Sequence, residues 1–208
     1  MPNSTPTTAW HALKEGNRRF VSGESIHPSQ SIATRNSLVN EQHPTAVIFG
    51  CGDSRVAAEI TFDQGLGDMF VVRTAGHVID SSVLGSIEYA VEILDVPLVI
   101  VLGHDSCGAL SATLDALDQG VVPGGFIRSV VERVIPSVLI GRKEGLTTVD
   151  ELEGRHVIET GKLLMQRSSI ISDRVEKGEC AIVGVTYTLT DGCMKLRDVI
   201  GDVGEAAI

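Results

Sequence analysis

Two short segments concentrate most of the reactive chemistry in this chain. Residues 49–56 read FGCGDSRV and residues 103–108 read GHDSCG. Together they hold two thiols (Cys51, Cys107), an imidazole (His104), two carboxylates and a guanidinium. Two thiolates and one imidazole suit Zn²⁺, and three protein ligands with a fourth position left open are the pattern of a catalytic site. A structural site would close with a fourth Cys or His. The remaining cysteines, Cys180 and Cys193, fall on a C-terminal strand pair and read as core or edge residues. Two thiolates cancel the charge of Zn²⁺, so the metal acidifies its water less than a site of three neutral histidines does. A helper is therefore expected. Asp53 lies two residues from Cys51 and can accept a hydrogen bond from zinc-bound hydroxide, and Arg55 can hold that carboxylate through a bidentate fork. Asp53 can also enter coordination as a fourth ligand and close the site.

These residues need elements to bring them together. TAVIFG (45–50), MFVVR (69–73), PLVIVLG (97–103) and CAIVGVTYTL (180–189) are apolar runs of strand length. Helical periodicity fills 81–94 and 107–120, the latter closed by Gly120. Residues 124–178 read as helices broken at Pro136 and at Gly141–Gly145 and ended by Gly178. Asp191-Gly192 is a hairpin signal, after which CMKLRDV (193–199) returns antiparallel at the edge. Continuous apolar strands alternating with helices predict an α/β fold: a mostly parallel central sheet of four strands plus an antiparallel edge strand, flanked by helices. Ligands in such sheets collect at the carboxyl ends of neighbouring strands, where the connections diverge. Both motifs directly follow apolar strands. Upstream, residues 7–21 form an amphipathic helix, and 22–44 an irregular arm with a short helix near Ile32–Val39. The division is thus an N-terminal helical arm, 1–44, and a zinc-binding α/β domain, 45–208.

Composition narrows the partners. The 208 residues carry a net charge of −10 and a pI near 5.0, which disfavours nucleic acid and anionic membrane surfaces. Apolar runs are too short to span a bilayer, and MPNSTPTTAW lacks a signal-peptide pattern, so a cytoplasmic location is expected. No G-x-G-x-x-G follows the first strand, which disfavours a dinucleotide enzyme.

C-x-D-S-R followed by G-H-x-x-C-G resembles the β-class carbonic anhydrases. The match continues through GDMFVVRTAGHVID, GSIEYAVEILDVPLVIVLGHDSCGA and GVTYTLTDG, and so covers nearly the whole chain in order. The resemblance implies reversible hydration of CO₂ to bicarbonate and a proton by hydroxide on zinc. Zinc would be held by Cys51, His104 and Cys107, with Asp53 and Arg55 as the catalytic dyad. It further implies that Gln30, in HPSQS, positions substrate, and that the chain forms a homo-oligomer, dimer or tetramer, with N-terminal helices crossing to the partner. The backbone N–H of Gly108, at a helix start, is an anion donor for bicarbonate. Val56 and Ala75 suit an apolar pocket wall, and Gly76 a close backbone packing. Some members carry a second bicarbonate site built from Trp, Arg and Tyr. Arg73 and Tyr187 match two of its positions, but Ile48 stands where the Trp would be, so Arg73 is expected to serve the fold or an interface. His77 reads as structural, His156 as exposed or packing, His11, His27 and His43 as surface residues, and Asp105 as a helix N-terminal carboxylate. Two alternatives remain: a hydrolase of a CO₂-like molecule such as CS₂ on the same scaffold, and a non-catalytic zinc-binding or redox-sensing protein whose fourth zinc position is a thiol.

Overall fold

Six consecutive residues of β1 (Ala46–Cys51) are all buried, as are all seven of β3 (Leu98–His104) and all seven of β4 (Ala181–Tyr187). Strands apolar on both faces need cover on both sides, and a parallel sheet with helical crossovers provides it. The computed structural model describes residues 4–206. Its single five-stranded sheet has the order β2-β1-β3-β4-β5. β2 (Met69–Thr74), β1, β3 and β4 pair in parallel, and β5 (Met194–Ile200) pairs antiparallel to β4. The expected sheet is therefore observed, with each strand's bounds shifted by a residue or two.

Side-chain alternation sorts the strands onto two cores. Ala46, Ile48, Ile100 and Val183 face one side, where α1 (Pro6–Ser22) supplies Ala9, Trp10 and Leu13. Val47, Phe49, Val101 and Ile182 face the other. That side is covered by α4 (Ser81–Glu88), α7 (Val149–Arg167) and α8 (Ser169–Glu176). A third cluster, of Cys51, Cys107, Leu110, Val134, Val138 and Leu152, caps the carboxyl end of the sheet. It draws on α5 (Gly108–Gln119), α6 (Ile127–Lys143) and α7. Two short helices, α2 (Ile32–Ser37) and α3 (Ala58–Thr61), complete the described elements apart from a 3₁₀ turn at Ala75–His77 and a π turn at Tyr89–Ile93.

Two boundaries differ from the sequence reading. Pro136 does not interrupt α6, which runs through it while burying Val131, Val134, Ser137 and Val138. Burial of that face outweighs the local cost of a proline, about 3 kcal/mol. The helix ends within the expected Gly141–Gly145 stretch, just before Gly145, whose φ of 89° suits glycine. The expected helix over 81–94 widens into a π turn at Tyr89–Ile93.

The N-terminal segment is tied to its own chain by polar groups as well as by Trp10 and Leu13. Asn17 donates to the carbonyls of Thr61 and Gly192 at 3.0 and 2.8 Å and accepts from the Met194 N–H at 3.2 Å. The Asp63 carboxylate, with 1% of its side chain exposed, accepts from Arg19 Nε at 2.6 Å and from the N–H groups of Ile26 and His27 at 3.1 and 2.9 Å. Burial alone would raise the Asp63 pKa; Arg19 and the two N–H groups outweigh it and hold the group below its ordinary value near 3.8. A depressed carboxylate stabilises the fold above its unfolded pKa, and that contribution is lost as pH falls through the folded pKa. Asp63→Ala should therefore cost about 3 kcal/mol at pH 7, since Arg19 loses a buried partner. Urea titrations at pH 7 and pH 3 check this: the gap between wild type and variant should narrow at the lower pH.

Candidate metal centre

The chain leaves β1 towards β2 on one side and returns to β3 on the other, so the connections diverge at the carboxyl ends of β1 and β3. That crevice is where an open α/β sheet binds ligands. Cys51 closes β1 and His104 closes β3, and these two strands are direct neighbours. Cys107 is the N-cap residue of α5, three positions after His104. The ligand atoms of Cys51, His104 and Cys107 all lie within 4.8 Å of one another, and all three residues are buried.

The histidine tautomer follows from its partners. His104 Nδ1 lies 2.8 Å from the carbonyl oxygen of Asp105, which can only accept. Nδ1 therefore carries the proton and Nε2 the lone pair. Nε2 is buried without a hydrogen-bond partner. A buried lone pair beside two thiols fits a metal, and the carbonyl behind it is the usual orienting partner of a ligating imidazole. The contact with Cys107 holds the Cys51 thiol well below its usual value, against the cost of burial and with help from His104 and the Gly76 N–H. The same contact pushes Cys107 up.

Asp53 and Arg55 form an ion-paired fork. Arg55 Nε donates to Asp53 Oδ1 at 3.0 Å and Nη2 to Oδ2 at 2.7 Å, while the Arg55 N–H donates to Oδ1 at 2.9 Å. This side-chain fork holds Asp53 well below the usual carboxylate range. Asp53 Oδ2 is 3.9 Å from His104 Nε2, so the carboxylate borders the cluster while facing Arg55. Arg55 Nη2 also reaches the Ser106 carbonyl at 3.4 Å, bridging the two ligand loops.

Other sequence-predicted residues fall in different places. Gly108 is the first residue of α5, exposed, and a Cβ there would meet nothing within 4 Å. Gln30 is exposed in the loop before α2 and makes no hydrogen bond among the described residues; its own chain does not bring it to the cluster. Ala75 is exposed, but Val56 is buried in the core beneath. Cys180 is buried before β4, at the opposite end of the parallel sheet, and Cys193 follows the hairpin turn; neither joins the cluster. Asp105 is not a free helix carboxylate: its Oδ1 accepts the Leu189 N–H at 3.0 Å, tying the ligand loop to the end of β4.

Residues 46–194 match the carbonic anhydrase family. Carbonic anhydrase 2 of Mycobacterium tuberculosis is 67% identical over 99% of each chain. The carbonic anhydrase of Mycolicibacterium smegmatis is 65% identical over 99% of this chain and all of its own. This chain belongs to the β-carbonic anhydrase family. In fold, it resembles one of two tetrameric β-carbonic anhydrases of Sordaria macrospora, with a TM-score of 0.72 over 90% of this chain and 95% of that one at 21% identity.

Arg73, Glu153 and His156 support this cluster; the sequence reading gave Arg73 a role in the fold or an interface and His156 as exposed or packing, and it left Glu153 unnamed. Arg73 Nε donates to the Cys51 carbonyl at 2.9 Å, and its Nη2 to the carbonyls of Asp53 and Val56 at 2.6 and 2.9 Å. It serves the fold, as expected, by gripping the loop that carries Cys51 and Asp53. Glu153, fully buried on α7, accepts the His104 N–H at 3.2 Å, and burial lifts its carboxyl to about 8. His156 is not exposed; it is buried between Ser137 and Gly76. Helical spacing places Glu153 and His156 on the same buried stripe as Leu152 and Val157, the one signal that could have found them.

Arg73→Lys should fold but weaken metal binding about 10-fold, because a single ammonium cannot span three carbonyls in the guanidinium's fixed geometry. Competition with a chromogenic chelator measures it.

Proposed function

We propose that this chain hydrates CO₂ reversibly, with Cys51, His104 and Cys107 holding Zn²⁺ and Asp53 and Arg55 acting at its rim. The observation that carries the reading is the buried His104 lone pair beside two thiols, with an ion-paired carboxylate directly alongside. Zn²⁺ bound there lowers the pKa of water and supplies a nucleophile at moderate pH. Asp53 contributes an acceptor that stays ionised. It holds an O–H of the attacking nucleophile and leaves a lone pair directed at the carbon of CO₂. An ordinary aspartate is already ionised at pH 7, so the fork from Arg55 matters for aim more than for charge. The N–H of Gly108, at the positive end of α5, receives a bicarbonate oxygen.

The remaining assignments concern assembly. Residues 1–44 act as an arm on the 45–208 domain, and Gln30 positions substrate in a neighbouring subunit. A second copy of the chain is favoured by the surface beside β2. There the outer strand adjoins an open groove of about 890 Å³ lined by Leu38, Val39, Leu66, Tyr89 and Ile93. Val39, Leu66, Tyr89 and Ile93 are exposed in the single chain. A homodimer or homotetramer follows, and the protein should sediment as one at micromolar concentration; a monomer would refute this. No helix is long and apolar enough to cross a membrane among the described residues. All four cysteines are unpaired, which favours the reducing cytoplasm.

Stopped-flow CO₂ hydration on protein of known zinc content tests the function. Cys51→Ser should lose zinc and turnover together. Asp53→Asn should keep zinc and lose on the order of 10²-fold in kcat/KM. Arg55→Ala should fall in the same direction with no recovery at higher pH. A zinc-replete wild type inactive on CO₂ would instead favour a CO₂-like substrate such as CS₂.

A further inference from the structure

Behind the cluster, on the side away from Arg55, one residue of α7 controls a hydrogen bond to a ligand without touching it. His156 is buried, with Nδ1 2.9 Å from Ser137 Oγ and Nε2 2.9 Å from the Gly76 carbonyl oxygen. A carbonyl only accepts, so Nε2 carries the proton, and Nδ1 must accept from the Ser137 hydroxyl. Burial lowers His156 to about 4, so the ring stays neutral near pH 7 and keeps this directionality. The ring also stacks against His77 with centroids 4.3 Å apart.

Gly76 faces both ways. Its carbonyl takes the His156 proton donor, and its N–H donates to Cys51 Sγ at 3.4 Å. The backbone there is unusual: Gly76 has φ 61° and ψ 27°, and His77 follows at φ 39°. Two consecutive left-handed residues are uncommon, and the second carries a cost of about 1–2 kcal/mol. A side chain at Gly76 would lie 2.6 Å from the Ala109 Cβ, so the turn is also closed in sterically. Such a turn needs an external tie to keep its N–H on the sulfur. His156 is that tie from α7, and the Ser137 hydroxyl of α6 satisfies Nδ1 and holds the ring in place.

We propose that His156 is a positioning residue for the metal centre, donating to the Gly76 carbonyl and so holding the Gly76 N–H on the Cys51 thiolate. The inference rests on the reading of Cys51, His104 and Cys107 as the ligands. A hydrogen bond to a ligating thiolate withdraws charge from sulfur and fixes its lone pairs, so the metal stays more electron-poor. Ser137 and His156 set the strength of the Cys51–metal bond from outside the site.

Cobalt(II) exchanged into the holoenzyme reads this directly through the thiolate-to-cobalt charge-transfer band, independently of turnover. His156→Leu should move the band to lower energy and weaken metal binding by 10- to 100-fold, the usual range for outer-shell partners. His156→Gln keeps an N–H donor of similar reach and should restore both. Ser137→Ala, which leaves Nδ1 without its donor and loosens the ring, should shift the band in the same direction by less. Thermal midpoints recorded alongside separate loss of fold from loss of positioning. A folded His156→Leu protein with the wild-type band and affinity overturns the proposal, as does a His156→Gln protein as impaired as His156→Leu. Should His156→Leu not fold, an unshifted band in Ser137→Ala overturns it. A wild-type cobalt protein without any thiolate band would instead sink the ligand assignment itself.

Discussion

The parallel pairing of β1 with β3 is the constraint on which the site depends. It sets the carboxyl ends of two strands side by side, with Gly50 opposite Leu102 and the chemistry starting one or two residues further on. Neither strand alone supplies a metal site, since a strand end presents one inward side chain at a time. The second pairing, of β3 with β4, aligns His104 with Tyr187 and lets Asp105 tie into the turn beyond. A register slip of one residue between β1 and β3 would turn Cys51 away from His104. The buried cores on both sheet faces oppose that slip, because it would carry Val47 and Phe49 into the space of Ala46 and Ile48.

Once two loops meet, their backbones must be held against the pull of a cation. Arginines do this from the surface side. Arg73 collects three carbonyls of the β1 loop, and Arg55 ties Asp53 to the Ser106 carbonyl of the other loop. From the interior, α7 reaches the β3 ligand loop directly and the Cys51 side through the turn after β2. Glu153 takes the His104 N–H, and His156 takes the Gly76 carbonyl. The same helix packs so tightly on β3 that a Cβ at Gly103 would lie 2.6 Å from both Glu153 and Val157. Close approach of helix and strand is therefore what puts polar side chains of α7 within reach of the ligands. It also explains buried polar residues in a region otherwise lined by Leu152, Val157 and Leu164.

Much of this was legible in the sequence, for identifiable reasons. Strands buried on both faces leave unbroken apolar runs, and the ligand motifs stand directly after two of them, so the sheet and the Cys51–His104–Cys107 group could be read together. Asp53 and Arg55 were legible because their partners are local, two residues apart. Glu153 and His156 were not, because their roles depend on distant residues: Glu153 meets His104, and His156 meets Gly76 and Ser137. Pro136 misled for a related reason. A proline's local cost is visible in sequence, whereas the burial of Val131, Val134 and Val138 that offsets it is a property of the packed helices.

The two sides of the metal cluster thus do different work with different chemistry. The outer side uses charge: an arginine–carboxylate fork whose guanidinium is half-exposed, where strong hydrogen bonds survive solvent. The inner side uses neutral groups. His156 and His77 are both held uncharged by burial, and burial raises the Glu153 pKa. A second full charge behind the thiolates would compete with the cation's own field, and an unpaired one would be costly to bury. Neutral donors and acceptors can fix geometry there without altering net charge. The two histidines behind the cluster are therefore polar but uncharged, while the charged Asp53–Arg55 pair stands in front, where a nucleophile and CO₂ would meet.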